Sequence, residues 1–175
     1  MLCLHFDPIR GALLRPVSET SHPAVSRVVA DAEAKGIKIR IVHTEKTARS
    51  AKEAAEALSV SVGEIVKSLV FAGAETDKAY LLLVAGDNRV DEAKMAEAFG
   101  EALRRPDADF VRQATGFAIG GVSPLGSTGE IEVFMDESLF RFSTVWAAAG
   151  TPHDVFEVVP LQLRSATKAR VGPVA

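Results

Sequence analysis

Ile65-Val66-Lys67-Ser68-Leu69-Val70-Phe71 and, after a polar break, Ala79-Tyr80-Leu81-Leu82-Leu83-Val84-Ala85 are the two runs that decide the fold. Both are short, rich in β-branched, aromatic and aliphatic side chains, and lack a 3.6-residue period. The segment between them, Gly73 to Lys78, has the composition of a turn. The pair therefore reads as two central strands of a sheet joined by a tight connection.

Upstream of this hairpin, Ile37, Ile39 and Ile41 alternate with Lys38 and Arg40, the pattern of a half-buried strand. A helix precedes it: Ser21 is placed to cap it, Pro23 suits its first turn, and Val25, Val28, Val29 and Ala32 share one face before Gly36 stops it. Ser50-Ala51-Lys52-Glu53 is a capping box that opens a helix reaching about Leu58. Downstream, Asp91 caps a helix closed by Gly100, and a short helix from about Asp109 to Thr115 ends at Gly116. A glycine-rich segment, 116–129, leads into a strand over Ile131–Met135 and a helical turn from Asp136. Further strands are expected near 145–149 and 155–158, and Pro160 starts a last helix whose Leu161 and Leu163 are available to cover the sheet. The pattern predicts one mixed α/β domain over 21–175 in which strands outnumber helices, with a curved or partly closed sheet, after an N-terminal extension at 1–20.

Composition narrows the class. The 175 residues are 47% hydrophobic and 25% charged, which excludes a disordered or collagen-like chain. Cys3 is the only cysteine, which excludes a disulfide scaffold and points to a reducing, cytoplasmic setting. The longest uncharged stretch, Gln113 to Gly129, is broken by five glycines and Pro124, so it does not form one apolar membrane helix. Asp7, Arg10 and Arg15 interrupt the first twenty residues, leaving no signal-peptide core. A soluble protein without a membrane partner is expected. Net charge is −3, which argues against a strongly basic nucleic-acid face. The local clusters Lys46/Arg49/Lys52, Arg104/Arg105 and Arg164/Lys168/Arg170 read most simply as solvated surface.

Lys67 is the first candidate for chemistry. A cation in an otherwise apolar strand is costly unless it reaches solvent, a partner or a substrate. The plain alternative is an edge lysine that extends into water. The second candidate is Gly116-Phe117-Ala118-Ile119-Gly120-Gly121-Val122-Ser123-Pro124-Leu125-Gly126, where paired glycines permit a tight turn with amides facing a ligand. It is no dinucleotide fingerprint. It misses a P-loop because Ser127 stands where lysine is required, and a nucleophile elbow because Leu125 replaces the second glycine. His5, His22, His43 and His153 lack ligand spacing, so no metal site is expected. His153 follows the turn Gly150-Thr151-Pro152, where a polar side chain can line a cleft. Asp136 most simply caps a helical turn, and Asp87 belongs to a turn. The aromatics form no stacking platform for single strands.

Taken in order, the Lys67 strand, Gly86-Asp87, Thr115-Gly116-x-x-x-Gly120-Gly121-Val122-Ser123-Pro124-Leu125-Gly126, Val133-Phe-Met-Asp136 and Ala149-Gly150-Thr151-Pro152-His153 resemble the YbaK/ProX family. Its members are free-standing aminoacyl-tRNA deacylases related to the editing domain of bacterial prolyl-tRNA synthetase. The likeness runs from about Ser21 to Val171. It implies a single mixed α/β domain around a curved, barrel-like mixed sheet flanked by helices, and hydrolysis of the ester on a mischarged tRNA, with Lys67 as the central active-site lysine. It implies a substrate-binding loop of Gly120, Gly121, Val122, Ser123 and Pro124, with Asp136 and His153 also on the substrate side. No cofactor or metal is implied, and attack falls to a water or to a group of the substrate itself, as the substrate thiol is thought to do in cysteine-clearing members. The partners implied are the acceptor end of the tRNA and, given the acidic balance, a synthetase such as prolyl-tRNA synthetase to supply affinity. The Gly-Gly-Val-Ser-Pro loop resembles cysteinyl-tRNA(Pro) deacylases, whereas the flanking segments look like relatives that accept several small residues. Cys, Ala and 2-aminobutyrate therefore stay open as substrates. A non-catalytic aminoacyl-tRNA-binding module and an unrelated small-ester hydrolase are the competing readings.

Overall fold

The computed structural model describes residues 22–44 and 50–175. The extension at 1–20, Ser21 and the cations Lys46 and Arg49 lie outside the described residues. In chain order the elements are α1 (Pro23–Ala34), β1 (Arg40–His43), α2 (Ala51–Leu58), β2 (Val66–Gly73), β3 (Ala79–Ala85), α3 (Glu92–Phe99), β4 (Leu103–Arg104), α4 (Ala108–Thr115), β5 (Glu132–Asp136), β6 (Val145–Ala148), β7 (Asp154–Val158), α5 (Pro160–Thr167) and β8 (Arg170–Gly172). Short 3₁₀ turns at Val62–Glu64 and Glu137–Arg141 precede β2 and β6.

The two decisive runs pair antiparallel from Val66↔Ala85 to Ala72↔Ala79. They sit inside a five-stranded sheet of order β4-β2-β3-β5-β8, in which β3–β5 and β5–β8 are parallel. A three-stranded antiparallel sheet, β1-β7-β6, meets it, among the described residues, through one parallel bridge between Ile65 and Trp146. The two sheets curl into a half-barrel around one core. Leu81, Leu83 and Met135 face Val25 and Val28 of α1, Phe117 and Phe156 across it. The opposite face of the large sheet buries Phe71, Tyr80, Leu82, Val84 and Phe134 with Met95 of α3. Because both faces of β3 are covered, it is apolar throughout rather than alternating.

The helix ends follow the capping chemistry of the sequence. Ser50 Oγ accepts the Glu53 amide at 3.2 Å, Asp91 accepts those of Ala93 and Lys94, and Gly100 and Gly116 close α3 and α4 at positive φ. Three expectations are corrected. His22, through Nδ1, accepts the Ala24 amide at 3.2 Å and is the N-cap of α1 in place of Ser21. The β1 ladder runs over Arg40–His43 rather than 37–41, although Ile37 and Ile41 are both buried. Leu163 is fully buried but Leu161 is 63% exposed, because residues two apart on a helix point to opposite sides. Strands β4 and β8 are too short for any period to announce them.

Glu101 ties down the β2–β3 turn. Its carboxylate accepts the Thr76 hydroxyl and the Tyr80 phenol at 2.6 Å, and the Glu75 and Thr76 amides at 3.1 Å. The hydrogen bonds from Thr76 and Tyr80, helped by these amides, hold its pKa down from 4.5 to about 2. A depressed carboxyl stabilises the fold above its unfolded value, and that contribution drains away as pH falls from 4.5 to about 2. Glu101→Gln is therefore expected to lower the melting temperature at pH 7. The gap to wild type should narrow as the medium is acidified across that window, as thermal unfolding between pH 7 and pH 2 would show.

Candidate active site

Strand β4 pairs with Ala72 and Gly73, and no strand among the described residues pairs with the edge of β2 before them. The Gly73 amide donates to Lys78 O at 2.9 Å. By the two-residue alternation of an antiparallel ladder, Val66, Ser68 and Val70 turn their backbone groups to that edge. Beyond the Ile65–Trp146 bridge, β2 and β6 diverge. Helix α2 roofs the gap, held by Ala55 and Leu58 packing with Val42, Ile65 and Trp146. The result is a cavity of about 350 Å³. Its walls come from Ser50, Ala51, Ala54 and Leu58 of the α2 segment, 65–69 along β2, and Trp146, Ala147 and Ala148 of β6 with Val155. Ile119, Gly120 and Val122 on one turn, and Thr151 and Pro152 on another, complete it.

Lys67 lines this cavity half-buried, and its ammonium donates to the main-chain carbonyl of Asn88. It is neither an edge lysine trailing into water nor a bare buried charge. Burial pushes its pKa below the ordinary 10.5, Asp87 and Asp136 work against that, and Arg89 adds to it. Asp136, 1% exposed, stands outside the cavity wall. It caps the 3₁₀ turn by accepting the Ser138 amide at 2.9 Å, and it accepts the Ala85 amide at 3.1 Å and the Asn88 side-chain amide at 2.9 Å.

Within the glycine-rich turn, Gly120 and Val122 reach the cavity. Gly120 has φ +91°, a conformation other residues rarely adopt. Gly121 lies against the neighbouring turn, so close that a Cβ would sit 2.9 Å from both Gly150 O and Thr151 Cα. Its own amide is used within the turn, donating to Ala118 O at 3.0 Å. The amides of Gly120 and Val122 meet no acceptor among the described residues. Ser123 is fully buried and accepts the Leu125 amide at 3.2 Å; it and buried Pro124 shape the turn from behind the wall.

His153 also stands behind the wall. Its Nδ1 lies 3.1 Å from Thr44 O, and its ring stacks on His43 at 5.5 Å. His43 Nδ1 is 2.9 Å from Asp154 Oδ1, and Asp154 in turn accepts the hydroxyl of Thr151. This chain of contacts fixes the 150–153 turn against β1. The structure thus brings Lys67, Gly120 and Val122 to the lining of one cavity, and sets Gly121, Ser123, Pro124, Asp136 and His153 outside that lining.

Sequence reasoning missed Asn88, Thr151, Trp146 and the α2 alanines as site-forming residues. Only Asn88 and Thr151 carried a signal, through their places in the turns at 86–88 and 150–153. Ser68 Oγ and Trp146 Nε1 are buried without a partner among the described residues, an uncommon condition for wall residues outside a functional site. Within the basic clusters, Arg104 pairs with Asp77, Arg105 with Glu92 at 2.9 Å and Arg170 with Glu132 at 3.1 Å. A larger open groove of about 750 Å³ between α4 and the starts of β3 and β5 contains none of the candidate residues. Among the described residues no three His, Cys, Asp or Glu side chains are grouped to hold a metal, and no helix is long and apolar enough to cross a membrane.

Comparison with known proteins bears on this cavity. The family model described as an aminoacyl-tRNA editing domain matches residues 45–166. An uncharacterized Bacillus subtilis protein, YwhH, is 36% identical over 75% of this chain and 83% of its own. An Enterococcus faecalis protein described as a candidate Cys-tRNA(Pro)/Cys-tRNA(Cys) deacylase, EbsC, is 28% identical over 71% of this chain and 76% of its own. The proline–tRNA ligase of Coprothermobacter proteolyticus is 30% identical over 82% of this chain, which spans a quarter (25%) of that enzyme. Among solved structures, a candidate trans-editing enzyme for prolyl-tRNA synthetase superposes with a TM-score of 0.83 at 42% identity, covering 89% of this chain and 98% of that one.

Proposed function

The chain belongs to the aminoacyl-tRNA editing-domain family, and from that premise we propose that it is a trans-editing deacylase, hydrolysing the ester that joins a small mischarged amino acid to the 3′ end of tRNA(Pro). The observation that carries this reading is the cavity itself. A lysine on one wall faces a space of about 350 Å³ whose glycine turn has amides to offer. That volume is at the small end of ligand pockets, suited to a small side chain, its ester and part of the ribose.

Hydrolysis of an ester passes through a tetrahedral oxyanion. Amide donors fixed in position, such as those of Gly120 and Val122, stabilise developing charge without reorganising. Lys67 adds a positive charge on the wall, placed for the oxyanion or for the terminal nucleotide. Ser50, Ser68 and Thr151 line the cavity, but Ser50 caps α2, Ser68 Oγ has no partner among the described residues to activate it, and the Thr151 hydroxyl is committed to Asp154 in the contacts that fix its turn. Attack is therefore assigned to water or, for a cysteinyl substrate, to the substrate thiol. The net charge of −3 favours tRNA contact confined to the acceptor end, or a synthetase partner that supplies affinity.

The test is incubation with tRNA(Pro) charged separately with Cys, Ala and Pro. Rapid release of Cys or Ala with Pro retained is the expected result, and the faster of the two names the substrate. Survival of every charged tRNA despite binding would overturn catalysis in favour of a binding module. Cleavage of free amino-acid esters at the same rate as charged tRNA would make the protein a small-ester hydrolase.

A further inference from the structure

Lys67 does not hold its position alone. Its ammonium donates to the Asn88 carbonyl, and the Asn88 side-chain amide is itself gripped by Asp136 Oδ2 at 2.9 Å and Ser138 Oγ at 3.0 Å. Asp136 is buried at the end of β5, and its remaining hydrogen bonds go to the Ala85 and Ser138 amides. The turn is pinned from the other side as well, since a Cβ on Gly86 would lie 2.1 Å from Val62 O. The Asn88 main-chain amide also donates within the turn, to Ala85 O at 2.9 Å. A rigid turn thus carries the one acceptor that the lysine uses among the described residues.

We propose that Asn88 and Asp136 are positioning residues for Lys67: Asp136 clamps the Asn88 side chain, and the clamped Asn88 presents its main-chain carbonyl to hold the Lys67 ammonium at the cavity wall. The inference rests on the reading of Lys67 as the catalytic lysine. It moves Asp136 from the substrate to the machinery behind the lysine. The geometry explains why a carboxylate outside the cavity belongs to the site, and why Asn88, in an otherwise ordinary turn, belongs with it. The charges around the ammonium are Asp87, Asp136 and Arg89, with Asp87 engaged by Arg141 at 2.5 Å.

Two readouts on Asn88→Ala test this. One is single-turnover deacylation of the charged tRNA cleaved fastest by wild type. The other is NMR titration of the Lys67 ε-methylene, identified by its loss in Lys67→Ala. Misplacing a catalytic group by an ångström costs up to about 100-fold, so the rate constant for cleavage should fall about 10- to 100-fold while half-saturation stays near wild type. The Lys67 signal should move. In Asp136→Asn the Lys67 titration should shift downward, because a negative neighbour that raises it is gone. An unchanged rate and an unchanged Lys67 signal in folded Asn88→Ala would overturn the proposal. If that variant does not fold, Ser138→Ala removes one of the two acceptors of the Asn88 amide and is read by the same two quantities; no change in either overturns the proposal equally. If wild type cleaves no charged tRNA, the functional reading fails, and the Lys67 signal alone decides whether the clamp holds the lysine.

Discussion

Lys67→Ala is expected to slow deacylation by about 10²–10³-fold, the usual loss when a group stabilising developing charge is removed. The substitution should leave the melting temperature no lower than wild type, because it deletes a partly buried cation whose charged form the site disfavours. Retained stability with lost turnover separates a chemical role from a structural one. Lys67→Arg should not restore the rate, since a planar guanidinium cannot occupy a compact ammonium site against Asn88 O. The pH profile carries the sign of the same argument. An essential ammonium is lost as pH rises through its pKa, and burial has lowered that pKa. The alkaline limb of activity should therefore fall below 10.5, the value for an unburied lysine. A full-rate Lys67→Ala variant would remove the lysine from the mechanism.

Gly121→Ala is the second large effect. The added methyl would lie 2.9 Å from Gly150 O and from Thr151 Cα, backbone atoms that no rotamer change can move. The two turns forming the cavity mouth must then separate. Overpacking of this kind costs about 1–3 kcal/mol. For a domain of this size that is a fall of about 2–12 °C in melting temperature. Deacylation should drop further than stability accounts for, because Gly120, Val122 and Thr151 move with the turns they belong to. Gly120→Ala makes the contrast: its Cβ has open space, with only Pro152 Cγ at 4.0 Å, and its cost comes from φ +91° instead. Calorimetry and cleavage rates on the pair distinguish a packing defect from backbone strain. Gly121→Ala with wild-type stability and rate would mean that the turns are not coupled.

The site was partly legible for a physical reason. Lys67 drew attention because a cation in an apolar strand is anomalous in any fold, and the paired glycines because a tight turn needs them. Ser123 and His153 were legible as residues of the right turns, but their depth was not. Whether a hydroxyl faces a substrate or accepts the Leu125 amide depends on which way a turn rolls against its neighbour. Asn88 is the neighbour of Asp87 in a turn, and its relation to Lys67, 21 residues away in sequence, needed the hairpin to close first.

Local order is written in the residues: the β2–β3 hairpin, the caps at Ser50, Asp91, Gly100 and Gly116, and an apolar β3 that had to be covered on both faces. These follow from propensities and periods within a few residues. That there is a cavity, and what lines it, is a matter of how the elements pack. That depended on β4 pairing with two residues of β2 alone, on β6 meeting β2 at one bridge and then turning away, and on α2 lying over the gap. Such arrangements are settled by how separately formed elements share one core, where burial sums over distant residues and no single stretch of sequence carries the answer.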